Sequence, residues 1–120
     1  MKIEHLALNV ADPVSMAVAF KLERAPYTHF LADSSGTVMI EIYNNPADQV
    51  PPYAEMNPLL LHIAFVSENP EADKKTLVAA GASIVEELHL EDGSELVMLR
   101  DPWGLALQLC KRGKPMLKGY

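Results

Sequence analysis

The sequence predicts an α+β fold made of two βαβββ modules, the first with a shortened helix. Three observations predict it. The run from His5 to Pro13 resembles the run from His62 to Pro70, with a proline eight positions after a histidine in both. Each half later carries a turn cluster, Asp33-Ser34-Ser35-Gly36 or Asp101-Pro102-Trp103-Gly104, that leads into an alternating strand. The length of 120 residues, 49% of them hydrophobic, suffices for one domain with a single core and not for two independent ones.

Taken in order, His5 to Val10 and His62 to Val66 read as first strands, each running into a turn and a proline-started helix. In the second half the helix spans Ala72 to Ala80, with Leu77, Val78 and Ala80 apolar and Gly81 placed as its C-terminal cap. Ala82 to Leu90 and Glu95 to Arg100 are rich in Ile, Val and Leu, and Glu91-Asp92-Gly93 between them is a hairpin signal. Leu105 to Cys110 closes the module. In the first half, Val18 to Arg24 and Tyr27 to Ala32 supply the middle strands and Val38 to Tyr43 the last. His5 and Glu41 are 36 positions apart, whereas His62 and Gln108 are 46 apart, and most of the deficit falls on a helix between Asp12 and Ala17. Either that helix is truncated or a segment is absent from the sequence. The expected division is a first module over about 1–45, a linker over 46–58 rich in proline (Pro46, Pro51, Pro52, Pro58), a second module over about 59–111, and a tail over 112–120. The modules should pack as one domain over 1–120 or across a dimer, because each sheet alone leaves an apolar face uncovered.

Charge and composition exclude several functions. Sixteen acidic against ten basic side chains give a net charge of −6, which favours neither nucleic acid nor an anionic membrane. The apolar runs are too short to span a bilayer, and Met1 to His5 lacks a signal-peptide pattern, so a soluble cytoplasmic protein is expected. The one cysteine, Cys110, permits neither an intrachain disulfide nor a cysteine-rich metal cluster.

Side chains alternate across a strand, so His5, Ala7 and Asn9 share one face while Leu6, Leu8 and Val10 share the other. The same parity groups Met39, Glu41 and Tyr43; His62 and Ala64; and Ala106, Gln108 and Cys110. If the first and last strands of both halves curl into one trough, His5, Glu41, His62 and Gln108 converge. Two imidazoles, a carboxylate and an amide oxygen suit a divalent ion such as Zn, Ni, Fe, Co or Mn. A lone strand His or Glu is more often a hydrogen-bonded core residue or a solvent-facing one; recurrence at matched repeat positions is what favours ligation here.

The paired halves, the histidine in each first strand, and the Asp-Pro-Trp-Gly turn before the strand bearing Gln108 resemble the vicinal oxygen chelate superfamily. This is the group of glyoxalases, bleomycin resistance proteins and extradiol dioxygenases, and the resemblance runs from Ile3 to about Lys111. It implies two modules forming a curved mixed sheet around a cleft, often completed in a homodimer, and a metal ligand set at His5, Glu41, His62 and Gln108. The last-strand position of the family is usually Glu. An amide has no useful basicity near neutral pH, so Gln108 passes the role of catalytic base to Glu41. The implied activity is metal-assisted proton transfer, of lyase or isomerase type, on a small oxygenated metabolite. Alternatives are a non-catalytic antibiotic- or metabolite-binding protein of the bleomycin-resistance type and an extradiol-type dioxygenase using His5, His62 and Glu41, with the carboxylate in the opposite half from the usual arrangement.

Asn9, Met39 and Tyr43 share the ligand-side parity and are candidates for lining a substrate cleft; Trp103 could cap one, although a turn aromatic packed on the domain edge is the simpler reading. Cys110 reads as a passive buried thiol, His29 and His89 as ordinary strand or surface residues, and the basic tail as a solvated terminus. A short first helix would expose Leu6 and Leu8 to water, at about 25 cal/mol per Å², which favours a homodimer that covers them.

Overall fold

The computed structural model describes residues 1, 3–13, 20–21, 24–37 and 39–117, and these divide into two compact units, Met1–Pro51 and Pro52–Tyr120. In the first unit, apolar residues at alternate positions make strands of β1 (His5–Asn9), β3 (His29–Ala32) and β4 (Met39–Tyr43), joined by the two-residue β2 (Phe20–Lys21). The sheet order is β1-β4-β3-β2, with β1 parallel to β4 and the other pairs antiparallel. A parallel pair needs a crossover connection; the helix expected there between Asp12 and Ala17, and most of the strand expected over Val18 to Arg24, lie outside the described residues. Leu8, Val10 and Ile42 are buried on one face of this sheet, as alternation requires. Leu8, expected to be left to water, is 7% exposed, whereas its neighbour Leu6 remains 49% exposed. His29 is buried too, its Nδ1–H donating to the Tyr27 carbonyl at 2.6 Å.

The second unit repeats the same order, β5-β8-β7-β6, from β5 (Ile63–Val66), α1 (Pro70–Ala79), β6 (Ser83–His89), β7 (Glu95–Arg100) and β8 (Ala106–Lys111). Here β5 is parallel to β8, and the remaining pairs are antiparallel. Its core is Val97, Leu99 and Leu109, with Leu77 of α1 and Ala82 packed against it. The helix begins two residues before the expected Ala72, because Asn69 caps it through Oδ1 to the Ala72 N–H and Pro70 needs no amide partner at the first position. At its other end the chain reverses at Gly81, whose φ of +108° suits glycine, and the Ala82 N–H returns to the Leu77 carbonyl. The hairpin between β6 and β7 turns through Gly93, as the sequence signal predicts.

The proline-rich stretch between the halves is not a free connector. Its first part is bound to the first unit: the Asn9 amide nitrogen donates to the carbonyls of Asn45, Asp48 and Gln49, and Asn9 Oδ1 accepts from the Asn45 N–H at 2.7 Å. Its second part forms a single 3-10 turn, Tyr53–Glu55, held to the second unit by Arg100. No described helix is long and apolar enough to cross a membrane.

Candidate functional site

In the first unit, the register sets His5 beside Met39 and Ala7 beside Glu41, and Glu41 beside Phe30 on β3. His5 and Glu41 are therefore diagonal neighbours on one face. His5 Nε2 lies 3.3 Å from Glu41 Oε2, and both side chains are partly shielded, at 34% and 19% exposure. Two further contacts hold the imidazole. Its Nδ1 is 2.7 Å from the Glu4 carboxylate, and its ring meets the ring of Phe30 edge to face at 6.1 Å. With Nδ1–H given to Glu4, a neutral imidazole turns its Nε2 lone pair toward an acceptor oxygen. Two electron-pair donors so placed need a cation between them, a proton or a metal ion. Ligands about 2.0–2.1 Å from one tetrahedral ion stand about 3.3 Å apart, so the spacing of His5 and Glu41 fits a shared divalent ion.

The second unit prepares its histidine in a parallel way by different means. His62 stands immediately before β5, not in it, and its Nδ1–H donates to the Pro58 carbonyl at 2.8 Å. A carbonyl only accepts, so that bond places a hydrogen on Nδ1; in the neutral ring Nε2 is then the electron-pair donor, as it is in metal-ligating histidines. Gln108 occupies on β8 the position that Glu41 has on β4, paired with Ala64 on one side and Met98 on the other. Its Oε1 is 3.1 Å from Cys110 Sγ. Within either unit, among the described residues, no three His, Cys, Asp or Glu side chains gather as a metal-binding group. The first unit offers His5 with Glu41; the second offers His62 and the neutral Gln108.

Of the expected cleft residues, Asn9 has its amide committed to the turn at 45–49, while Tyr43, its strand partner, is half-buried. Met39 pairs with His5 at the start of β4, and its side chain lies outside the described residues. Trp103 sits exposed in the Asp101–Gly104 turn. That turn is built by Asp101, whose Oδ1 accepts from the N–H groups of Trp103 and Leu105, both at 2.9 Å. Burial pushes the Asp101 carboxyl above the usual carboxylate range, against the lowering by those backbone donors. Burial likewise pushes the Cys110 thiol up, with Arg112 opposing it. An open groove of about 550 Å³ adjoins this part of the second unit, walled by Ala64, Val66, Cys110, Pro115, Met116 and Leu117.

Sequence reasoning missed Arg100, Glu4 and Phe30. Arg100 donates to the carbonyls of Tyr53 at 2.8 Å, Gly104 at 2.9 Å and Met56 at 2.6 Å, and so pins the segment that leads to Pro58 and His62. Its signal was available: it is the one cation in the otherwise apolar run from Leu96 and directly precedes the Asp-Pro-Trp-Gly turn. Phe30 shares Glu41's register position, which strand pairing reveals and a linear pattern does not.

A family model described as Glyoxalase/Bleomycin resistance protein/Dioxygenase superfamily matches residues 2–109. Among solved structures, SMU.1112c is 27% identical with a TM-score of 0.68, over 92% of this chain and 98% of that one. The glyoxalase family protein APC24694 from Bacillus cereus is 16% identical with a TM-score of 0.73, over 93% and 94%. TnmS3, an antibiotic binding protein from Streptomyces sp. CB03234, is 10% identical with a TM-score of 0.67, over 93% and 96%. No curated protein matches the chain significantly by sequence.

Proposed function

The chain belongs to the glyoxalase/bleomycin resistance protein/dioxygenase superfamily, and on that premise we propose that it is a metal-dependent enzyme of lyase or isomerase type that moves a proton on a small oxygenated metabolite. The observation that carries this reading is the facing pair His5 Nε2 and Glu41 Oε2 at 3.3 Å, on a histidine whose other nitrogen is already engaged. His5, His62 and Glu41 are the residues that would hold the ion, with Gln108 at the fourth matched position. A bound Zn, Ni, Fe, Co or Mn ion supplies Lewis-acid stabilisation of negative charge on substrate oxygen. Glu41 is the base. Its carboxylate takes a proton from the carbon beside a substrate carbonyl and returns it to a neighbouring atom, a task for which the Gln108 amide has no basicity. His5 is kept in one orientation by Glu4 and Phe30, and His62 by the Pro58 carbonyl, so neither ring needs to reorganise when charge develops. We further propose that the working form is a homodimer.

The open apolar groove favours a second reading, binding of an antibiotic or metabolite without turnover. Elemental analysis of protein purified without added metal separates the two. About one ion per chain, lost in His5→Ala and in Glu41→Gln, is the expected result. A metal-free wild-type protein that binds a bulky apolar ligand overturns the enzyme reading in favour of sequestration.

A further inference from the structure

The register of β5 and β8 pairs Ala64 with Gln108 and Val66 with Cys110, so side-chain alternation sets Ala64, Val66 and Cys110 on one face of the second sheet. Beyond β8 the chain is pinned at Gly113, whose N–H donates to Oγ of the buried Ser94 at 3.0 Å. The approach there is close enough to require glycine: a Cβ would stand 1.9 Å from the Asp92 carbonyl oxygen. From that anchor the tail brings Pro115, Met116 and Leu117 to wall the open groove of about 550 Å³ together with Ala64, Val66 and Cys110. The walls do not close on each other. Val66, Met116 and Leu117 stay 88%, 73% and 64% exposed, and covering such apolar area gains about 25 cal/mol per Å².

The charges on the rim select the kind of molecule that covers it. Lys111 is engaged with Glu95 at 3.2 Å. Arg112, exposed on the rim, forms no ion pair among the described residues, although its charge reaches the Cys110 thiol and the Asp92 carboxylate. The acidic rim residue, Glu68, directly precedes Asn69, the N-cap of α1, where the positive end of the helix favours a carboxylate. What remains unmatched is one guanidinium beside an apolar channel. We infer that the groove of the second unit is a binding site for a small amphipathic carboxylate, a monoanion whose charged end pairs with Arg112 while its apolar body covers Val66, Met116 and Leu117. A planar guanidinium matches a carboxylate through two parallel N–H···O bonds. With Glu68 also on the rim, a monoanion is accepted more readily than a doubly charged phosphate. The groove is of the size that small ligands occupy. The inference rests on the binding reading of the groove, which it deepens by naming the chemistry of the ligand, and it uses residues of the second unit alone.

Octanoate, octanol and octylammonium, one apolar chain with three head groups, test this by calorimetry and methyl NMR of the whole chain near neutral pH. Octanoate should bind about tenfold more tightly than octanol, the increment of a charge-assisted hydrogen bond over a neutral one, and octylammonium more weakly than either. The methyl shifts should fall on Val66, Met116 and Leu117. Arg112→Gln, at an exposed position where substitution leaves stability near wild type, should lower octanoate affinity about tenfold and leave that of octanol within about twofold. Leu117→Ser should weaken octanoate and octanol alike; no effect on either removes the tail from the site and overturns the proposal. Equal affinities for octanoate and octanol, or octanoate binding indifferent to Arg112→Gln, overturn the carboxylate assignment while the groove survives as an apolar binding site. Failure of all three probes to bind, or shifts confined to residues outside the groove, overturns the proposal and the binding reading together.

Discussion

Replacing Arg100 with methionine keeps most of the aliphatic stem and removes the guanidinium that gathers three carbonyl groups. The bonds at stake run to Tyr53, Met56 and Gly104, at 2.8, 2.6 and 2.9 Å. Hydrogen bonds to a charged group contribute about 1.5–3 kcal/mol each, so the gross loss is about 5–9 kcal/mol. Arg100 and Met56 are only half-buried whereas Tyr53 and Gly104 are buried, so water entering the space of the guanidinium reaches part of the freed set and recovers roughly half of that. A net loss of about 2–4 kcal/mol is expected from urea unfolding, without a change in its slope. Arg100→Lys recovers only part of it, since one ammonium cannot reproduce the planar fork that reaches three acceptors. The effect should also be local. Hydrogen exchange should quicken at Glu55 and Met56, whose N–H groups bond to the Pro52 carbonyl, before it does in β7 or β8. Because that turn leads directly to Pro58, the carbonyl that holds His62 becomes less well placed, and Ni²⁺ affinity should fall with stability. Arg100→Met protein within 0.5 kcal/mol (about the ordinary surface-substitution range) of wild type, with unchanged exchange at residues 55 and 56, refutes the reasoning.

Two further predictions concern the Asp101–Gly104 turn. Gly104 has a φ of +94°, and a Cβ there would meet Ala54 Cβ at 2.5 Å and its backbone N and Cα at 2.7 Å, so Gly104→Ala must displace the same 3-10 turn. The expected cost is about 2–4 kcal/mol by thermal or urea unfolding, and it should be strongly non-additive with Arg100→Met because both release one segment; simple additivity argues against a shared anchor. Asp101 has its carboxyl raised by burial, so its contribution to stability is fullest below the ordinary carboxylate range, near pH 4, and is lost as pH rises through its folded-state value. Asp101→Asn keeps an oxygen to accept from Trp103 and Leu105 and should gain on wild type as pH rises from about 3.5 to 6, whereas Asp101→Ala should lose at every pH. An advantage of Asn that shrinks over that range contradicts the assignment.

The fold was legible where alternation and turn chemistry agreed. Asn69, Pro70 and Gly81 bound the helix, Gly93 makes the hairpin, and the two His-to-Pro runs mark equivalent first strands, so the second unit could be drawn nearly residue by residue. Parity also placed Leu8, Val10 and Ile42 on the covered face. What parity cannot supply is stagger between strands. Whether Glu41 falls beside Ala7 or His5 depends on the register of a parallel pair, and the identity of the group across the next strand, Phe30, depends on a second register. The linker was read from its prolines as a connector, since proline disfavours regular structure. It is instead tied at both ends by single polar residues, Asn9 and Arg100, acting on backbone carbonyls that any sequence would have presented.

That difference bears on how a duplicated module diverges. The two halves share strand order, the parallel pairing of first and last strands, and a histidine held through Nδ1. They differ in the holder, a carboxylate in one and a proline carbonyl in the other, and at the matched last-strand position, Glu41 against Gln108. An imidazole that donates to a carboxylate is a stronger electron-pair donor at its other nitrogen than one that donates to a neutral carbonyl. The first unit therefore has both the carboxylate-held imidazole and the only acidic side chain among the four positions at which His and acid or amide recur. Proton transfer requires one group that accepts and one that stabilises without competing for the proton. Under the proposed chemistry Glu41, and not the Gln108 amide, is therefore the group of this matched pair able to act as base.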